Sequence, residues 1–226
     1  MKSLNVAGMQ ISGVYAITPT ENEHWTWTMV MDSCHAVLDG GVRLVQMRQK
    51  NLDLDTYKQR ALQLGTLCER YGASLILNDA PGLPELKDWT GVSGVHLGKD
   101  DLSVDVGRAL WGERFLIGAT CYNQLENAQQ AVLNGADHIA FGAVFPSSTK
   151  PGAVGASLGL FGRAFNLGVP RVAIGGIKIE NLPALHEAGV EAVAVVSSLF
   201  GLKPDAEQAR KTAEKWVQAW QQASRT

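Results

Sequence analysis

Gly13-Val14-Tyr15-Ala16-Ile17-Thr18-Pro19-Thr20 is an apolar run of strand-forming residues that stops at a proline, and the way it ends decides the architecture. An open doubly wound sheet usually carries a glycine fingerprint straight after its first strand, where the backbone must approach a pyrophosphate. Here the run ends in Thr18-Pro19-Thr20 instead. From this point short β-like runs alternate with longer segments of helical period along nearly the whole chain. Residues 42–47, 75–77, 94–97, 115–118, 137–141, 171–174 and 190–196 read as further strands. Residues 28–38, 55–71, 83–88, 104–110, 123–134, 158–166, 180–187 and the stretch from 205 read as helices, the one at 83–88 weakly. Parallel strands need crossover helices and eight of them can close a sheet, so the alternation predicts an α/β fold, a (β/α)8 TIM barrel.

The punctuation fits that reading. Gly40-Gly41 and Gly72 close the first two helices, and Asn123 with Glu126 forms a capping-box pattern ahead of the fifth. The last helix carries Ala206, Ala209, Ala213, Trp216, Val217 and Trp220 on one stripe, which reads as packing. The turns Asp39-Gly40-Gly41, Asn134-Gly135-Ala136 and Glu187-Ala188-Gly189 precede strands and map to the bottom of the barrel. No linker splits the chain, so one domain over residues 1–226 is expected, with the barrel over about 13–222 and a short extension before it.

The chain has 226 residues and a formal charge of -2, a balance that argues against a nucleic-acid footprint or a polybasic membrane face. No apolar run approaches the ~20 residues of a spanning helix, and the first residues lack a signal-peptide core, so a cytoplasmic location is expected. Cys34, Cys68 and Cys121 are far apart and odd in number, which supports neither a disulfide framework nor a CxxC site.

In a barrel of this kind the strand C-termini converge on one mouth, so polar residues just after strands share a site. These are Gln46, Arg48 and Lys50; Asn78 and Asp79; His96, Lys99, Asp100 and Asp101; Thr120; Ser147, Ser148, Thr149 and Lys150; Gly175 and Gly176; and Ser197 and Ser198. Gln46, Arg48 and Lys50 alternate, so all three emerge on one side. Three hydroxyls and an ammonium at 147–150, held between Pro146 and Pro151-Gly152, suit phosphate oxygens. Gly175-Gly176 allows close backbone approach, and Ser197-Ser198 precedes a short helical turn whose N–H groups would face an anion. Asp79 and Asp101 offer hard oxygen ligands with no histidine or cysteine company, for which Mg2+ is the natural ion. Cations and carboxylates in one mouth make sense around a diphosphate and its metal.

Six segments in order resemble the thiamine phosphate synthase family: Gln46-Met47-Arg48-Gln49-Lys50, Asn78-Asp79, His96-Leu97-Gly98-Lys99-Asp100-Asp101, Thr149-Lys150-Pro151-Gly152-Ala153, Ala173-Ile174-Gly175-Gly176-Ile177 and Val195-Val196-Ser197. The resemblance implies a transferase that joins a hydroxymethylpyrimidine diphosphate to a thiazole phosphate, giving thiamine phosphate and diphosphate. It implies that Arg48, Lys50, Asn78 and Lys150, with Gln46 and Thr120, hold the pyrimidine substrate and its diphosphate, with Arg48, Lys50, Lys150 and Thr120 closest to the chemistry. It further implies Mg2+ on Asp79 and Asp101, and the thiazole phosphate on Ser147, Ser148, Thr149, Gly176, Val196 and Ser197. Both partners are small molecules, and self-association is left open.

Four positions depart from the family pattern. Thr120 stands for a usual serine, Lys99 for a glutamine, Ala80 for an arginine, and Lys178 for a threonine that would cap the seventh helix, which therefore begins later. The rival readings are a thiazole tautomerase-like barrel, which does not need the paired aspartates together with the cations, and a non-catalytic regulatory barrel that binds thiamine precursors, which a magnesium-dependent turnover assay with both substrates separates. Taken singly, Asp101 reads equally as an N-cap and Asn78-Asp79 as a turn. His96 reads as a core-edge histidine satisfied by backbone, and His35, His138 and His186 receive no role.

Overall fold

Alternation of side chains along each strand divides the interior in two. The computed structural model describes residues 11–146 and 155–224. Its eight strands are β1 (Gly13–Ile17), β2 (Leu44–Met47), β3 (Ser74–Asn78), β4 (Val92–Leu97), β5 (Leu116–Tyr122), β6 (His138–Gly142), β7 (Arg171–Ile174) and β8 (Ala192–Val195). They pair in parallel in chain order and β8 returns to β1, closing a barrel. Tyr15, Ile17, Leu44, Ile76, Leu116, Ala140, Val172, Ala192 and Ala194 fill the pipe. Their neighbours on the same strands, such as Val14, Ala16, Val45, Met47, Leu75, Leu77 and Val193, face outward into a larger layer beneath the helices. A one-residue slip in any strand would exchange these two sets, so the pattern pins the register.

The helices are α1 (Trp27–Asp39), α2 (Leu54–Arg70), α3 (Val104–Trp111), α4 (Leu125–Leu133), α5 (Gly159–Arg163), α6 (Leu182–Glu187), α7 (Ser197–Phe200) and α8 (Ala206–Ala223). Thr26, Asp53 and Asp205 each accept a first-turn amide hydrogen, which starts α1, α2 and α8. The stripe on α8 is packing, as expected: Ala209, Ala213, Trp216 and Trp220 are buried, and the Trp216 indole donates to the Ser198 carbonyl at 3.2 Å. Among the described residues no helix is long and apolar enough to cross a membrane.

The structure corrects several local expectations. Between β3 and β4 stands a 3-10 turn, Pro84–Asp88, not an α-helix; its five residues start at a proline and are held by the Trp111 indole, which donates to Leu83 O at 2.9 Å. Asn123 does not cap α4, which follows Gln124 without a side-chain cap. The segment expected at 158–166 is α5 followed by a 3-10 turn, Phe165–Leu167. Lacking a capping hydroxyl, Lys178 is followed by a 3-10 turn, Ile179–Asn181, in which the Asn181 carboxamide accepts the Lys178 amide hydrogen, and α6 starts only at Leu182.

At the bottom of the barrel Arg108 of α3 donates to the carbonyls of Gly112, Phe115 and Gly135 and pairs with Asp137 at 2.5 Å, while Asp137 also accepts the Ile117 amide hydrogen. This clasp ties the entries of β5 and β6 together at the end remote from the mouth.

Candidate active site

Parallel strands deliver their C-terminal residues to one rim, and those predicted residues that the structure describes fall there in two groups. The first lies over β2, β3 and β4. Gln46 is buried in β2 and donates to the Tyr15 hydroxyl at 2.9 Å. Two residues on, Arg48 is half-buried, its amide donating to Thr18 Oγ1 at 2.9 Å and its guanidinium to Thr20 Oγ1 at 3.2 Å. Lys50 is exposed beyond it. Gln49, which the alternation turns away from these three, is buried; it donates to Pro19 O and accepts from the Glu21 amide, both at 2.9 Å. That carboxamide staples the loop after β1 to the loop after β2, so the cations are held by backbone geometry.

Asp79 follows β3 in a left-handed conformation, φ 49°, which a short polar side chain tolerates better than most. Asp101, half-buried after β4, accepts the Gly98 amide hydrogen at 2.6 Å. The two carboxylates are neighbours. Partial burial raises the Asp79 carboxyl above its ordinary range, the negative charge of Asp101 and a hydrogen bond with it raise it further, and Lys50 and Arg48 pull it back. Tyr57 of α2 sits under the pair: its hydroxyl donates to Asn78 O at 3.2 Å, and burial together with both aspartates raises its phenol. Asn78 itself is 9% exposed. Two cations and two acids separated by up to 53 positions in the chain thus act on one another across a single rim.

The second group lies over β5 to β8. Thr120, half-buried in β5, has Oγ1 at 2.8 Å from His96 Nε2. Gly175 and Gly176 follow β7 with φ of 102° and 63°. A Cβ on Gly176 would stand 2.4 Å from Pro146 O, and one on Gly175 2.5 Å from the Ala143 Cβ. The close approach expected for a ligand is therefore used by the chain's own segment after β6, which is anchored by Val144 N to Ile174 O at 3.0 Å and Phe145 N to Gly175 O at 3.1 Å. Ala156 N to Ala143 O at 2.8 Å fastens the far side of the same segment. Ser147, Ser148, Thr149 and Lys150 lie outside the described residues. Val196 is 38% exposed after β8, and Ser197 and Ser198, also exposed, open α7.

Sequence reasoning missed four participants: Thr18 and Thr20, which hold Arg48; Gln49, hidden between the two cations; and Tyr57, on a helix rather than a strand end. It also misread His96, which is satisfied by side chains and not by backbone. Only Gln49 left a signal, an amide in an otherwise apolar outward register.

As for a metal, no group of three or more His, Cys, Asp or Glu among the described residues could hold one. Two mutually repelling hard oxygen donors nevertheless fit an ion that takes one or two carboxylates and completes its shell with water and phosphate oxygens, as Mg2+ does.

Comparison with known proteins gives a consistent result. Residues 14–199 match a family model described as thiamine monophosphate synthase. The thiamine-phosphate synthase of Thioalkalivibrio sulfidiphilus is 45% identical over 211 residues, covering 91% of this chain and 96% of the relative. That of Methylobacillus flagellatus is 45% identical over 190 residues, covering 84% and 88%. Among solved structures, a thiamine phosphate pyrophosphorylase from Pyrococcus furiosus superposes with a TM-score of 0.78 at 27% identity, covering 93% of this chain and 96% of that one.

Proposed function

This chain belongs to the thiamine monophosphate synthase family, and on that premise we propose how its barrel mouth carries the reaction. It is an enzyme, a transferase of thiamine biosynthesis that forms thiamine phosphate from small-molecule substrates. In the proposed reaction the bond between the pyrimidine methylene carbon and the diphosphate oxygen breaks, and the electron pair leaves with diphosphate. The thiazole nitrogen then gives its lone pair to the electron-poor carbon, so no covalent intermediate with the protein is needed.

Arg48 and Lys50, with Lys150, meet the charge that grows on the departing diphosphate; preorganised cations are worth most where charge develops in the transition state. Asp79 and Asp101 hold Mg2+, which supplies Lewis-acid neutralisation of the leaving group when bound. Gln46, Asn78 and Thr120 orient the pyrimidine, and Ser147, Ser148, Thr149, Gly176, Val196 and Ser197 receive the thiazole phosphate. The observation that supports this division is the shared rim of Arg48, Lys50, Asp79 and Asp101, acids and cations within electrostatic reach of one another. An apolar pocket would strand those charges; a polyanion with its cation would use them all.

The test monitors diphosphate release with both substrates present while Mg2+ is titrated against a chelator. Release should require both substrates and rise with the metal. Turnover indifferent to metal, or undiminished in Asp79→Ala and Asp101→Ala, would remove the carboxylates from the assignment.

A further inference from the structure

Just below the mouth lie two histidines that the proposed chemistry leaves unused, in line with residues that it does use. Asn78, His96, Gly118 and His138 stand side by side in register on β3 to β6. His138 is wholly buried, His96 is 7% exposed, and Thr120 above them is half-buried. His138 Nε2 stands 3.5 Å from His96 Nδ1, and His96 Nε2 stands 2.8 Å from Thr120 Oγ1. At the inner end, His138 Nδ1 is buried and has no hydrogen-bond partner among the described residues.

We propose that His138 is a positioning residue: it fixes the tautomer of His96, and through it turns the hydrogen of the Thr120 hydroxyl away from the barrel and toward the pyrimidine substrate. The inference rests on the reading that Thr120 faces that substrate. Both rings are buried, and among the described residues neither is hydrogen-bonded to a carboxylate that would stabilise a charged form, so each is neutral and carries a single ring proton. One nitrogen of His138 is left without a partner whichever tautomer forms. A buried donor without an acceptor is the rarer and costlier orphan, so the bare nitrogen keeps its lone pair and the proton sits on Nε2. Nε2–H then donates to His96 Nδ1, which must itself be unprotonated. His96 consequently carries its proton on Nε2 and donates to Thr120 Oγ1. With that oxygen accepting from inside, the hydroxyl hydrogen is free to donate outward. The opposite tautomer of His96 would take the Thr120 hydrogen and offer the substrate only an acceptor.

Long-range proton–nitrogen NMR on uniformly 15N-labelled protein without substrates reads the tautomers directly. We expect Nε2 protonated and Nδ1 bare in both rings; a proton on His96 Nδ1 would overturn the proposal. In steady-state kinetics with both substrates, His138→Gln keeps an N–H for His96 and should retain kcat/KM within about threefold. His138→Phe removes the donor and should lose about five- to tenfold, the worth of one neutral hydrogen bond. Equal values for the two variants would refute the relay, and should neither fold, the wild-type NMR result still decides. Thr120→Val separates the premise from the inference. Unchanged kinetics there, with the expected tautomers in place, would sink the substrate contact of Thr120 and hence the purpose of the relay, but not the ring assignments.

Discussion

Gly118 should be the position where the smallest change does the most damage. A Cβ there would lie 2.1 Å from His138 Nε2, 2.3 Å from its Cε1 and 2.6 Å from His96 Nδ1. Ordinary contact begins near 3.4 Å, so at least one ring must retreat by about 1 Å in a densely packed interior. His138 has nowhere to go: it is 0% exposed, with Tyr15 packed edge-on at a ring-centroid distance of 6.3 Å. Overpacking costs about 1–3 kcal/mol and a broken buried hydrogen bond about 1 kcal/mol more, against roughly 0.5–1 kcal/mol gained by replacing glycine in a strand. Gly118→Ala should therefore lose about 2–3 kcal/mol in urea unfolding at pH 7.5. A typical domain has about 5–15 kcal/mol to lose from, so the variant remains folded enough to assay. Its kcat/KM should fall about tenfold because Thr120 loses its inner partner. A stability within ~0.5 kcal/mol of wild type, with unchanged histidine ring 15N resonances, would show that the rings do not occupy this space and refute the argument.

Other outcomes are expected from the same structure. Asp79→Asn keeps a residue that tolerates φ 49° and removes the repulsion with Asp101, so thermal stability should hold or rise while Mg2+-dependent turnover drops on the order of 100-fold; retained turnover would count against the metal assignment. The folded pKa of each buried histidine lies below its unfolded value, so the unfolded chain takes up protons first and stability falls as pH drops below about 6.5. Each ring should cost about 2 kcal/mol between pH 7 and pH 5, and urea titrations of His138→Gln should show about half the loss of the wild type. Arg108→Ala strips three carbonyls and Asp137 of their partner at the bottom of the barrel, where side chains are 12% and 14% exposed. It should cost about 2–4 kcal/mol by chemical denaturation while kcat stays within twofold, and a large kcat effect would show that the two ends of the barrel are coupled.

The barrel was legible because its signal is periodic. Residues such as Val45 and Met47 against Leu44 and Gln46 state, from spacing alone, which side of a strand is which. Arg48, Lys50, Asp79 and Asp101 were legible for a related reason: ends of parallel strands must share a rim, so position along the strand already implies position in space. What spacing could not convey was lateral register. His96 and His138 lie 42 residues apart and meet only because β4, β5 and β6 align them across a glycine. Local capping was misjudged for the opposite reason: Asn123 has the right neighbours in sequence, but the chain turns at Tyr122, φ 56°, with Gln124 N bonded to Cys121 O at 3.1 Å, and α4 begins only at Leu125. Gly176 was recognised as needing to be small, yet the carbonyl that requires it belongs to Pro146, a contact no pattern along the chain announces.

The seam between β1 and β8 has a consequence for biosynthesis. Gly13 N bonds to Glu191 O, Ala16 aligns with Val195, and a Cβ on Gly40 at the end of α1 would press within 2.6 Å of the Ala213 Cβ on α8. Strand β1, the first of the eight to be translated, is thus completed by the last of them. Until then β1 has one bare flank and α1 one uncovered side. Moving the termini to a bottom turn, so that β8 and β1 are translated consecutively, should shorten that exposure without altering a single contact at the rim.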